Sequence, residues 1–169
     1  SFSNDGFDPN SNGSTGANGQ SYVAWNWDMG GSNATNTNGD IQSTVRANTT
    51  YGQSIVSYTA GSGSAGQTVG HGLSSQPEMI IVKNRSADGQ EWLVYHHKNT
   101  AAPATDYLRL DATSVTADNT FWNDTAPTST VFSVGDSQPV NSSHGNSYIA
   151  YCFHSVEGYS KVGNYSGNG

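Results

Sequence analysis

A seven-residue segment occurs twice in this chain, once near each end. Residues 21–27 read SYVAWNW, and residues 147–153 read SYIAYCF. Each copy follows a loop rich in Gly, Asn and Ser. Because internal self-similarity is typical of modular architectures, the sequence predicts one strand of a β unit that is used twice.

A second repeat joins residues 52–59 (GQSIVSYT) to residues 158–166 (GYSKVGNYS), with one inserted residue before the Tyr. The first part of the chain therefore matches the end of a unit, and the last part matches the beginning of one. The intervening stretch before the central unit is rich in Asn and Thr, as in a linker. We predict four parts: the C-terminal part of a preceding repeat (1–31), a connector (32–50), one complete unit (51–154) and the start of a following repeat (155–169).

The central unit alternates candidate strands with turn clusters at short spacing, which is the pattern of a sandwich or barrel. Asp88-Gly89 is its clearest hairpin signal, and no stretch keeps the apolar spacing of an amphipathic helix. The sequence predicts an all-β fold with almost no helix, an antiparallel, jelly-roll-like β-sandwich unit with partial flanking units. Its candidate strands are 54–59, 78–83, 91–97, 107–111, 120–123, 131–134 and 147–153.

Comparing the two heptapeptides assigns faces, because side chains alternate along a strand. One face of each copy is wholly apolar or aromatic, and we predict that this face packs between units in an assembly: Val23, Trp25 and Trp27 in the first copy, and Ile149, Tyr151 and Phe153 in the second. On the other face, the position of Cys152 holds an amide in the first copy. We therefore expect Cys152, the only cysteine, to be a small packing residue and not a reactive thiol.

The charge of the chain limits its partners. Only 11% of residues are charged, against roughly 25% in an average soluble domain, and the formal net charge is -7. Such a surface repels phosphate backbones and anionic lipid. No apolar run approaches the roughly 20 residues of a transmembrane helix. We expect neither nucleic-acid binding nor membrane insertion.

Catalytic and metal motifs are poorly developed. Four carboxylates (Asp106, Asp111, Asp118 and Asp124) offer pairs for glycoside hydrolysis, but Asp is also a turn residue. Asp8, Asn10 and Asn12 match half of a calcium loop, whereas Gly19 stands where a bidentate Glu belongs. We expect no catalytic site, no metal and no cofactor, with Asp8, Asn10 and Asn12 as the only calcium candidates.

Aromatic side chains on a β-sandwich can stack on sugar rings. Most of the nine Tyr and four Trp residues are needed for a core. The candidates for a glycan site are Trp92, Tyr107, Trp122 and Tyr148.

Five segments together give the chain a family likeness: SIVSYT (54–59), VGHGL (69–73), PEMIIVK (77–83), NDTAPT (123–128) and YIAYCF (148–153). With them, residues 52–169 resemble a repeat family of structural and tail-fibre-like appendage proteins of marine bacteriophages, including cyanophages. The resemblance implies an extracellular, virion-associated location. It also implies that the partners are other copies of the chain and other virion proteins.

The leading hypothesis is a virion structural protein, a fibre or appendage subunit that supports host attachment and is not an enzyme. One alternative is a lectin-like carbohydrate-binding module for a host surface glycan, and another is a capsid decoration or knob protein. Because unpaired strand edges seek partners, we predict that residues 1–27 and 158–165 pack against neighbouring copies or against the central unit.

Overall fold

The computed structural model describes residues 2–3, 6–9, 13–141 and 145–169. It confirms an all-β fold of antiparallel sheets, with one short 3-10 turn, Thr120–Trp122, as the helical content of these residues. The described strands are β1 (Phe2–Ser3), β2 (Gly6–Phe7), β3 (Ala34–Asn36), β4 (Ser43–Asn48), β5 (Gln53–Thr59), β6 (Gln67–Gly70), β7 (Met79–Asn84), β8 (Trp92–His96), β9 (Asp106–Arg109), β10 (Ala117–Asp118), β11 (Val131–Val134) and β12 (Ser147–Phe153).

Eight strands form the main sheet in the order β10-β9-β8-β7-β12-β5-β4-β3. The strand from the end of the central unit, β12, lies in the middle of this sheet, between β5 and β7. Its Ala150 stands opposite Val56 on one side and Val82 on the other. All three are fully buried, so the centre of the sheet faces the core.

A second, smaller layer covers one face of the main sheet. It consists of the pair β6 and β11 together with the 3-10 turn. Tyr58 connects the layers, because its ring stacks on Tyr148 at 5.0 Å and meets the edge of Phe132 at 6.2 Å. The Tyr58 hydroxyl donates to the Val140 carbonyl. Both tyrosines therefore bury their rings and still satisfy their hydroxyl groups.

The loop after β3 closes one side of the sandwich. Ile41 makes a parallel bridge with Val69 of β6, and the Asp40 carboxylate accepts hydrogen bonds from the backbone and hydroxyl of Thr68. A Cβ on Gly39 would lie 2.5 Å from the Thr68 carbonyl oxygen. Only glycine permits this close approach of the two backbones.

The predicted connector needs correction, because residues 34–36 and 43–48 are strands of the main sheet. Ser43 and Val45 are buried and the residues between and after them, Thr44 and Arg46, are exposed. This alternation is the pattern of a half-buried strand. The abundance of Asn and Thr concealed it, although Thr and Val favour strands.

The two heptapeptide copies lie in unlike surroundings. Residues 147–153 form the central strand, whereas residues 21–27 belong to no strand. Val23 and Trp25 are 76% and 77% exposed. Both neighbours of β12 are already strands of the central unit, so the first copy cannot pair with β12. Within the described residues, no helix has the length and apolar content to cross a membrane.

His71 is a neutral structural group in the core. It is fully buried, its Nδ1 accepts a hydrogen bond from the Leu73 backbone N–H, and its Nε2 lies 3.2 Å from the Thr128 carbonyl oxygen. These partners assign the proton to Nε2. Burial, which disfavours the charged form, lowers the pKa of His71 to about 4.

This burial predicts acid sensitivity. Below the ordinary histidine pKa of about 6.5 the unfolded chain binds a proton at this residue, whereas folded His71 stays neutral until about pH 4. The burial of neutral His71 contributes about 3 kcal/mol to the pH dependence of the free energy of unfolding. This contribution is complete above about pH 6.5 and is lost as the pH falls from there to about pH 4. Urea unfolding from pH 7 to pH 4.5 should show a shallower loss for His71→Gln than for the native chain. Val115→Ala, a change at an exposed uncharged residue, should keep the native pH dependence; equal losses in all three proteins would contradict this account.

Candidate binding surface on the outer face of the main sheet

The face of the main sheet that points away from the second layer carries an apolar row. Ile55, Tyr151, Ile81, Val94 and Leu108 stand opposite one another on five adjacent strands. Residues in direct register share a face, so the row crosses the sheet from β5 to β9. The adjacent row adds Phe153 and Met79.

Residues before β3 lie over this row and form the walls of a groove. Trp27 packs against Tyr151 at 6.2 Å and Phe153 at 5.8 Å between ring centroids. Together with Trp25 it borders a cavity of about 360 Å³. We call this cavity the aromatic groove; its lining residues are Trp25, Trp27, Ile81, Trp92, Leu110, Asp111, Tyr151 and Phe153.

The base of the aromatic groove is a flat aromatic platform. Trp92 and Tyr151 are stacked with an interplanar angle of 17° and centroids 6.5 Å apart. The Lys83 ammonium lies 5.7 Å from the Trp92 ring centroid and donates a hydrogen bond to the Gln90 carbonyl. This cation fixes Trp92 in place while the platform stays open to the groove.

Asp111 supplies the one carboxylate of the groove lining. Its Oδ1 accepts a hydrogen bond from the Trp92 backbone N–H at 3.2 Å, and the Leu110 backbone N–H donates to the Trp92 carbonyl at 2.9 Å. The chain after β9 is thereby held beside β8. An aromatic platform with an acceptor at its rim can stack on a ring and orient a hydroxyl group.

A second cavity, of about 500 Å³, adjoins the groove and shares Trp27 and Phe153 with it. Its other wall comes from the C-terminal segment, where Tyr159 stacks on Tyr51 at 4.6 Å. Ser155 anchors this segment, because its backbone N–H and hydroxyl both donate to the Glu78 carboxylate. Both flanking segments thus contact the central sheet, one of the two arrangements predicted for them.

The four residues predicted for a glycan site do not come together. Trp92 lies in the aromatic groove. Trp122 and Tyr148 are 2% and 0% exposed in the core on the opposite side of the sheet, and Tyr107 packs against Phe121 beside that core. Trp122 also satisfies its indole N–H on the Asp106 carbonyl. Trp122 and Tyr148 are therefore excluded from sugar binding, and Tyr107 is separated from Trp92.

Four of the six residues predicted to pack between units meet on the outer face. Ile149, Tyr151 and Phe153 are half-buried there, and Trp27 contacts two of them. Val23 and Trp25 keep most of their surface exposed, and Trp25 also borders the aromatic groove. Sequence reasoning missed the contributions of Ile81, Leu110 and Asp111. The alternation in β7 was the available signal for Ile81, because residues at every second position share a face.

The structure describes one of the three calcium candidates. Asp8 is exposed, and Asn10 and Asn12 lie outside the described residues. Across the ranges that the structure covers, no three His, Cys, Asp or Glu side chains are grouped so that they could hold a metal ion.

Comparison with known proteins identifies the family. No curated protein and no solved structure matches the chain. A family described as a domain of unknown function, DUF7483, matches residues 1–169. The chain therefore belongs to the DUF7483 family.

Proposed function

We propose that this chain is a structural module of an extracellular assembly, a fibre or appendage subunit of a phage particle that supports host attachment and has no catalytic role. The observation that carries the proposal is the outer face of the main sheet, an apolar surface bordered by two aromatic chain segments. Contiguous exposed apolar surface marks interaction sites. The location on a virion rests on the sequence resemblance described above.

The groups with strongly shifted pKa values support a structural role. Burial raises the pKa of the Cys152 thiol to about 12 and raises that of Tyr58 well above its ordinary value. Both residues lie in the closed core with His71. Catalytic groups need shifted pKa values within reach of a substrate, whereas these side chains contact only the protein interior.

The surface composition fits an exposed assembly component. The outer face owes its interactions to aromatic and aliphatic side chains, and the chain as a whole is only 11% charged. Contacts made by apolar burial depend little on ionic strength, in contrast to contacts between exposed charges.

Immunogold electron microscopy of purified phage particles, with antibodies raised against this chain, tests the proposal. We expect label on tail fibres or other appendages, and antibody preadsorbed with the chain provides the control. Label confined to the capsid would favour a decoration protein. Antigen found only in material free of particles would overturn the virion assignment.

The aromatic groove favours a second function, the binding of a carbohydrate. The platform of Trp92 and Tyr151 can stack on the apolar face of a pyranose ring, while Asp111 can accept a hydrogen bond from a sugar hydroxyl. Trp25, 77% exposed, can close over the ligand from the other side.

If the groove binds a sugar, Trp92→Ala should weaken binding about tenfold or more, because it removes one aromatic stacking surface. The native chain would first be screened on a glycan array, and the best ligand then measured by calorimetry. Val115→Ala is the control, since it removes apolar side-chain surface that is 85% exposed and lies outside the groove. A native chain that binds no glycan on the array would exclude this function.

A further inference from the structure

Two segments of the chain have the sequences of paired strands but are not paired. In the main sheet, β5 and β12 run antiparallel over seven residues each. Residues 158–166 are similar in sequence to β5, and residues 21–27 are similar to β12. Neither repeat forms a strand of the sheet. Each segment therefore corresponds to one strand of the β5–β12 pair.

We propose that residues 21–27 of one copy pair as an antiparallel strand with residues 159–165 of a second copy, joining copies head to tail. The proposal rests on the structural function proposed above and names its partner, a second copy of this chain. Residues 159–165 of one copy match the start of a unit, and residues 21–27 of the next copy match the end of one. Together they would supply two central strands of one unit. Such a heterologous contact repeats from copy to copy and produces a linear array.

The native pairing sets the register of the proposed strand pair. In the main sheet Tyr148 stands opposite Tyr58, Ala150 opposite Val56 and Cys152 opposite Ser54. The equivalent residues place Tyr22 opposite Tyr165, Ala24 opposite Val162 and Asn26 opposite Ser160. The inserted residue, Asn164, falls between the first two pairs, where a β-bulge accommodates one extra residue.

The exposed tyrosines show what such pairing would bury. Tyr58 and Tyr148 stack at 5.0 Å and are 4% and 0% exposed. Their equivalents, Tyr165 and Tyr22, are 96% and 47% exposed. Trp25 would stand opposite Lys161, as Tyr151 stands opposite Ile55, and a lysine beside an indole ring is a favourable contact.

The backbone of the C-terminal segment has one edge held and one edge open. Ser160 exchanges hydrogen bonds with Val156, and the Val162 backbone N–H donates to the Ser155 hydroxyl. No hydrogen bond joins the Lys161 backbone to another described residue. Within the described part of the chain, the backbone groups of residues 21–27 make no hydrogen bond. Open edges of this kind are sites of strand addition.

Cysteine cross-linking between two singly substituted proteins tests the pairing. Asn26→Cys and Ser160→Cys replace exposed residues that the register places opposite each other, as Cys152 and Ser54 are in the sheet. The native Cys152 is fully buried, and burial raises its pKa to about 12, so it should not interfere. An oxidised mixture of the two proteins should contain a mixed disulfide dimer, at several times the yield obtained when Gly163→Cys replaces Ser160→Cys.

A chain carrying both substitutions separates pairing between copies from pairing within one copy. We expect it to form a ladder of multimers whose length grows with protein concentration. A closed monomeric disulfide at every concentration would show that the segments pair within one chain, and a mixture without cross-links would also overturn the proposal. Immunogold label on appendages together with either of these results would support the structural function and contradict only the proposed strand pairing.

The tyrosine pair offers an independent measurement by sedimentation equilibrium. Tyr165→Ala should weaken self-association by about three- to tenfold, the effect of losing one aromatic pair. Val115→Ala is the control, because this residue is 85% exposed and lies in neither segment and outside the aromatic groove. Equal association of the native chain and both variants, or a native chain that stays monomeric, would contradict the pairing.

Discussion

The position of β12 between β5 and β7 determines the rest of the structure. Its inward residues Ala150 and Cys152 are small and fully buried, so the second layer can approach the sheet closely. The larger inward side chain, Tyr148, stacks on Tyr58 and bonds through its hydroxyl to the Gln138 carbonyl. Adding bulk at either small position would overfill a closely packed core. One strand thus sets the separation of the layers.

The same alternation fixes the character of the opposite face. Because Tyr148, Ala150 and Cys152 point inward, Ile149, Tyr151 and Phe153 must point outward. A strand in the middle of a sheet with only one covered face would ordinarily carry polar residues on the other face. Here the outward side chains are apolar, and the residues before β3 and after β12 lie over them. The aromatic groove is a consequence of a central strand that is apolar on both faces.

The sequence was sufficient for the fold class and insufficient for the direction of side chains. Short apolar segments separated by Gly, Asn and Asp turns indicated most of the strands of the central unit, and the structure confirms an antiparallel all-β fold. The predicted strand at 120–123 is wrong, because residues 120–122 form a 3-10 turn. Whether Trp122 or Trp92 would be buried depended on the layer that covers each residue, which is a tertiary property. Trp122 lies on the 3-10 turn of the second layer, so it faces the core. Trp92 lies on β8 beside Tyr151, so it faces the groove.

The self-similarity of the sequence identifies a strand-like segment that is not a strand in one copy of the fold. Residues 21–27 have the sequence of a central strand, but β12 already occupies that position in the sheet. A free copy must find another partner or leave its aromatic side chains in water, as Trp25 does. The division of the chain into parts of three successive units remains a prediction, and the exposed aromatic residues are the physical reason to test it.

Sugar binding and assembly would compete for one residue. Trp25 borders the aromatic groove, and in the proposed strand pair it would stand opposite Lys161 of a second copy. A single position of its indole ring cannot contact both a ligand in the groove and a strand of a second copy. A ligand that holds Trp25 over the groove draws the strand toward its own sheet and disfavours pairing, since an effect of one equilibrium on the other must be reciprocal. Assembly would then weaken sugar binding by the same factor by which sugar weakens assembly.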